Sequence, residues 1–360
     1  MAAYKSDPKA FTGSRVAIAG LFRTRCGLQR GAELMVRDMR EKGIFVYVVD
    51  LSNALQIPIN LPPGNLLEPT DLDAAGVSDL IIHLNPPLFT RALTLFDESV
   101  LSKVTVIGNW VWELQKISDD WREGAGHCDE IWAPSPFVFD TLVAELPGFR
   151  GAIKCFPYPV DRDPMARYET SKKNAIRATY GIAPDDYVAG FGFSFASNYA
   201  RKNPTAAIDA FRAAFPADDT HVRLLLRCFD GEEHPRLLAH LKSFIGDDKR
   251  VTLIDGSTQS WPLRDFYASI DTYLSLHRSE GYGLQLAEAA QAGASVIATG
   301  WGLAPDIACR PEVRTVDYRL VVPLDPQDNY TRYEGALWAE PDIPQAATLL
   351  TQIRARRGAG

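Results

Sequence analysis

Residues 276–299 read LHRSEGYGLQLAEAAQAGASVIAT, and the rest of the chain is best understood outward from them. An apolar run ending at Leu276 predicts a strand. A short loop follows, with Glu280, Gly281, Tyr282 and Gly283, and the pattern then predicts a helix from Leu284 with Glu288 one turn inside it. The run SVIAT predicts the next strand. Strand, glycine loop, helix and strand make a βαβ unit. The glycines let a ligand approach the backbone closely. The helix start offers unpaired N–H groups to an anion such as a diphosphate. A carboxylate one turn in can accept hydrogen bonds from the vicinal hydroxyls of a ribose, and the loop carboxylate can do the same for a hexose. Two glutamates at a helix start also simply suit the helix dipole, so the pair alone does not decide function.

The same rhythm runs through both halves. RVAIAG at 15–20 reads as a buried strand, and a helix is expected over 27–42 with Leu28, Ala32, Met35, Val36 and Met39 on one face. Further strands are predicted at 44–50, 79–84, 104–108 and 130–133. CFPYPVDRDP at 155–164 breaks the pattern with three prolines and reads as a domain edge. Strands then resume at 187–193, 223–229, 250–254, 272–276 and 295–299, with helices at 204–215 and 284–292. The expected fold is α/β, with two facing Rossmann-like domains, 1–160 and 161–342. Ligands of such sheets bind at the carboxyl ends of the strands, which puts the expected site in the cleft between the domains.

Composition narrows the function. The chain has 360 residues, 46% hydrophobic and 23% charged, which suits a folded two-domain protein. A net charge of -7 argues against a nucleic-acid partner and allows at most peripheral membrane contact. Arg23, Arg25 and Arg30 form one local basic group, either a solvated face or a phosphate-facing one. No apolar stretch is long enough to span a bilayer, and the first residues lack an apolar signal core. The five cysteines are scattered, without CxxC spacing, as expected of reduced thiols in a cytoplasmic protein.

The segment 276–299, with its HRS, the glycine pair, Gly293 and SVIAT, resembles the E-x7-E region of glycosyltransferase family 4. Residues 191–204 (FGFSFASNYARKNP) resemble the family loop that places basic side chains on the donor diphosphate. The resemblance implies a retaining enzyme of the two-Rossmann (GT-B) type. Its donor site would comprise Gly27, Arg201, Lys202, His277, Glu280, Gly281, Tyr282, Gly283, Leu284 and Glu288, with Glu280, Arg201 and Lys202 catalytic. Ala196 and Ser197 stand where many relatives carry an arginine. IGNWVWEL at 107–114 and DEIWAPS at 129–135 resemble a subgroup acting on bacterial polysaccharides. On that match Asn109 replaces a common histidine, and Asn109, Trp112 and Glu113 are candidate acceptor contacts; buried tryptophans also serve packing. VDYRLV at 316–321 and the segment 335–350 extend the match, and a last helix, 343–357, is expected to return to the first domain. The resemblance implies a nucleotide-sugar donor, GDP-mannose first and a UDP-hexose next, and a glycan or lipid-linked glycan acceptor.

No cofactor or metal is expected. Asp161-Arg162-Asp163 is a DxD, but it lies in the proline-rich edge rather than at the donor loop. The six histidines show no metal spacing; His277 and His83, at strand ends, are the two placed to line a cleft. There is no GxGxxG, P-loop, GxSxG or HExxH. Two other readings remain open: a nucleotide-sugar epimerase or phosphorylase on the same fold, and a non-catalytic sugar-nucleotide-binding or scaffold protein.

Overall fold

The computed structural model describes residues 15–62, 64–73, 76–162, 164–165, 167–257, 262–330 and 334–357. The chain divides into two compact units, Met1–Asp163 and Pro164–Gly360.

In the first unit six strands are β1 (Arg15–Gly20), β2 (Phe45–Asp50), β3 (Asp79–Ile82), β4 (Thr105–Asn109), β5 (Glu130–Ala133) and β6 (Ala152–Cys155). All pairings are parallel, in the order β2-β1-β3-β4-β5-β6. Val16, Ala17, Ile18 and Ala19 are wholly buried. The crossover helices of a parallel sheet cover both of its faces, which is why this strand is apolar on both. The helix Gly27–Glu41 covers it with Leu34, Met35 and Met39, and the Cys26 sulfur caps its start by accepting from the Gln29 N–H at 3.4 Å.

In the second unit the strands are β7 (Tyr187–Ser194), β8 (Val222–Phe229), β9 (Val251–Asp255), β10 (Thr272–Ser275), β11 (Ser295–Thr299) and β12 (Val313–Val316). They too are parallel, in the order β12-β11-β10-β7-β8-β9. Counted within the unit this is 3-2-1-4-5-6, the order of dinucleotide-binding sheets. The chain starts at β7, winds outward through β8 and β9, then returns to the other side of β7 at β10. The loops after β7 and β10 therefore diverge and leave a crevice between them. A separate antiparallel pair, β13 (Tyr318–Val321) with β14 (Trp338–Pro341), follows.

The last helix, Ile343–Arg357, groups with the second unit. Ala346, Ala347 and Leu350 are buried, Arg354 stacks on Phe215 and pairs with Asp219, and Arg357 donates to the Asp186 carbonyl at 2.6 Å. The arginines that end this helix find their partners in the segments that lead into β7 and β8, and these partners fix it there. No helix among the described residues is long and apolar enough to cross a membrane.

Candidate functional site

The two loops at the switch point of the second sheet carry the residues singled out from the sequence. After β7 the chain runs through Phe195–Ser197 into the short helix Tyr199–Lys202. Asn198 (φ 69°) and Asn203 (φ 54°) bracket that helix, both left-handed. Asparagine tolerates this region better than most residues. The Asn198 side chain caps Arg201 N–H at 2.9 Å, and Asn203 Nδ2 donates to the Leu276 carbonyl at 3.0 Å, tying the two loops together.

Lys202 and Arg201 converge on Glu280. Lys202 Nζ bonds Oε1, and Arg201 lies 3.6 Å from Oε2. Burial alone would raise the Glu280 carboxyl, but Lys202, Arg201 and neighbouring His277 overcome it and hold the group at about 2. The glutamate is thus a fixed anion, 12% exposed, and Lys202 a nearly buried cation, 14% exposed. Arg201 plays a different part from Lys202. Its guanidinium donates to the Ser279 and Ser197 carbonyls at 2.9 and 2.8 Å, so it stitches the loops from inside. His277 is wholly buried and neutral, lowered to about 4 by desolvation, with its ring nitrogens at Ser275 Oγ (3.1 Å) and the Trp301 carbonyl (3.2 Å).

Gly283, at φ 102°, starts the helix Leu284–Gln291, and a Cβ there would meet Leu303 at 2.8 Å. Glu288 lies inside this helix, 3% exposed, and accepts from the Tyr267 hydroxyl at 3.2 Å. The Tyr273 hydroxyl bonds Gln285 at 2.9 Å and the Gly192 carbonyl at 3.2 Å, and burial followed by Glu280 and Glu288 keeps it un-ionised. The Tyr282 hydroxyl donates to Asp306 at 2.8 Å. Gly281 is buried beside it and Leu284 half-buried. Sequence reasoning missed Tyr267 and Tyr273, which nothing in their spacing announces. It also missed Gly302, whose φ of 71° was unreadable.

The first-unit candidates sit on the corresponding carboxyl ends. Gly27 is exposed at the start of its helix, with open space beside it. His83 is wholly buried, lowered to about 4 by desolvation, and bonded to the Tyr158 hydroxyl at 2.8 Å. Asn109 is fully buried against Met35 Sδ at 2.9 Å. Trp112 is packed on Trp121, with its N–H given to the Lys116 carbonyl at 2.7 Å, while Glu113 is half-buried. Of the DxD, Arg162 bonds Asp38 at 3.0 Å, and Asp163 lies outside the described residues. Among the described residues Asp185, Asp186 and His221 stand close enough to share an ion, a grouping the sequence spacing did not suggest. Asp186 already accepts from Arg223 at 3.3 Å there, as a structural ion pair.

No family model matches the chain, and no curated protein sequence does. Solved structures do match. A glycosyltransferase from Rickettsia africae is 14% identical, with a TM-score of 0.60 over 96% of this chain and 97% of that one. WaaG, a glycosyltransferase involved in lipopolysaccharide biosynthesis, is 14% identical, with a TM-score of 0.60 over 95% and 91%. Anabaena HepE in complex with UDP-glucose is 13% identical, with a TM-score of 0.62 over 96% and 99%. At such identities the shared property is the fold. With two six-stranded parallel sheets flanked by helices, the chain has the two-domain GT-B fold of these glycosyltransferases.

Proposed function

We propose that the protein is a retaining glycosyltransferase that moves a hexose from a nucleotide diphosphate sugar to a glycan or lipid-linked glycan. The observation that carries this reading is the convergence of Lys202, Arg201 and Glu280 at the switch point, with Glu288 buried on the next helix. Lys202 supplies the cation for the departing diphosphate. Arg201 holds the loops that present it, and the N–H groups at the start of Leu284–Gln291 add a second positive end. Glu280 receives the sugar hydroxyls and Glu288 those of the ribose.

Retention follows front-face substitution. The acceptor hydroxyl oxygen bonds to the anomeric carbon as the bond from that carbon to the phosphate oxygen breaks. The acceptor proton passes to the departing phosphate oxygen on the same face. Rate then comes from positioning and from charge stabilisation of the leaving group. The scheme employs no metal, since Lys202 and backbone N–H groups take that charge. Glu280 is kept ionised by its cations and is not proposed to titrate during turnover. The donor is GDP-mannose or a UDP-hexose; HepE, solved with UDP-glucose, supports the second.

The test is thermal stabilisation of the purified chain by GDP-, UDP-, ADP- and dTDP-sugars beside Glu288→Ala. Ligands that bind only the folded state must stabilise it. Stabilisation by one nucleotide family, lost in Glu288→Ala, supports the reading, and transfer to a glycan acceptor completes it. No stabilisation by any of them counts against it.

A further inference from the structure

Asp325 lies far along the chain from the donor loops, yet it is buried, at 6% exposed. Its Oδ1 accepts from Asn198 Nδ2 at 2.8 Å and from Gln327 N–H at 3.0 Å. Its Oδ2 accepts from the N–H groups of Asn329 at 2.5 Å and Tyr330 at 2.8 Å. A buried carboxylate is costly unless its oxygens are satisfied, and here four donors satisfy it. The same turn sends Gln327 across to the loop after β7. Gln327 Oε1 accepts from Tyr199 N–H at 2.5 Å, and Nε2 donates to the Phe195 carbonyl at 2.9 Å. The turn thus holds that loop at three successive points, Phe195, Asn198 and Tyr199.

Asn198 is the residue on which this knot bears. It is left-handed, and its Oδ1 caps Arg201 N–H while its Nδ2 is held by Asp325. A side chain with both ends committed fixes its own backbone, and the next residues carry Lys202. Arg278 also donates to the Ala200 carbonyl at 2.6 Å and to Glu340 of β14 at 2.8 Å. The loop is therefore braced by two elements that follow β12 in the chain.

We infer that Asp325 is a positioning residue for the anion-binding loop, acting through Asn198 and Gln327 to keep Lys202 facing Glu280. The inference rests on the glycosyltransferase reading for its functional half. In Asp325→Asn an amide N–H₂ faces donors that the carboxylate had accepted, without a change of volume.

Amide hydrogen exchange on the full chain, without ligand, tests the structural half. Asp325→Asn should raise the exchange of Tyr199, Arg201 and Lys202 amides about tenfold, as expected for loss of a charge-assisted bond. Amides of β7 and β10 should keep their wild-type rates. The swapped pair, Asp325→Asn with Asn198→Asp, restores acceptor against donor and should recover part of the protection. Unchanged loop exchange, or acceleration spread evenly through the second unit, overturns the inference, as does a swap that recovers nothing. Titration with UDP and GDP then separates the two proposals. If wild type binds neither, the glycosyltransferase reading fails while the exchange result still decides the role of Asp325. If wild type binds one and Asp325→Asn binds it equally tightly, the positioning role is overturned.

Discussion

Replacing Lys202 by alanine removes the Nζ that meets Glu280 and leaves that carboxylate nearly buried with Arg201 at 3.6 Å as its closest cation. A group left under-paired in such a place costs about 1–3 kcal/mol. Lys202→Ala should therefore lower the urea unfolding midpoint modestly and reduce nucleotide-sugar turnover by at least about a hundredfold, the scale of one lost charge-stabilising contact. Full turnover by the Lys202→Ala, Arg201→Ala double variant would sink the assignment. The sign of the Glu280 effect follows from its depressed carboxyl. Held at about 2 in the fold against 4.5 ordinarily, it adds stability in full above about pH 4.5 and loses it as pH falls toward 2. The whole effect is about 3 kcal/mol. Glu280→Gln should flatten stability against pH in that window. The chemistry of these residues was legible because glycines, a helix start and two carboxylates stand together in 276–299. Their pairing was not: Lys202 and Glu280 meet only because β7 and β10 are sheet neighbours.

Loop 300–304 matters through one backbone position. Gly302 has φ 71°, and a Cβ there would lie 2.4 Å from the Glu280 carbonyl oxygen and 2.9 Å from its nitrogen. Gly302→Ala must displace either loop. It should cost about 1–3 kcal/mol of unfolding free energy and abolish stabilisation by nucleotide sugars; an alanine variant that binds as well as wild type would refute the close packing as a functional constraint. Elements were legible where apolar patterning is strong: β1, β7, β11 and the helix Gly27–Glu41 fall where the sequence puts them. β6, β12 and the pair β13–β14 were not read as strands. Each has four residues, and β6 and β12 are edges with exposed positions, so no apolar run marks them. The partners of the last helix, Phe215, Asp219 and the Asp186 carbonyl, are set by tertiary packing that no local pattern records.

Each unit of the molecule holds one buried, neutral histidine at the carboxyl end of its sheet. His83 and His277 are both lowered by desolvation to about 4 from 6.5. The unfolded chain binds those protons first as pH falls, so both units lose stability from about pH 6.5 down to 4, by about 3 kcal/mol apiece. Urea unfolding from pH 4 to 7 should show this slope, and His83→Gln and His277→Gln should each remove only its own share. A slope untouched by either variant would mean that other groups govern it. The two sheets differ in how the chain crosses them. In the first, the third strand leaves β1 on the side opposite β2; in the second, the crossing waits for the fourth strand, β10. Laying β1 on β7 therefore pairs β3 with β10, and leaves β6 and β9 each without a counterpart. The halves are not copies that an alignment in chain order could register. An ancestry by tandem duplication would require one outer strand to have changed sides, and under that correspondence the loop that begins at His83 is the twin of the loop that holds Glu280.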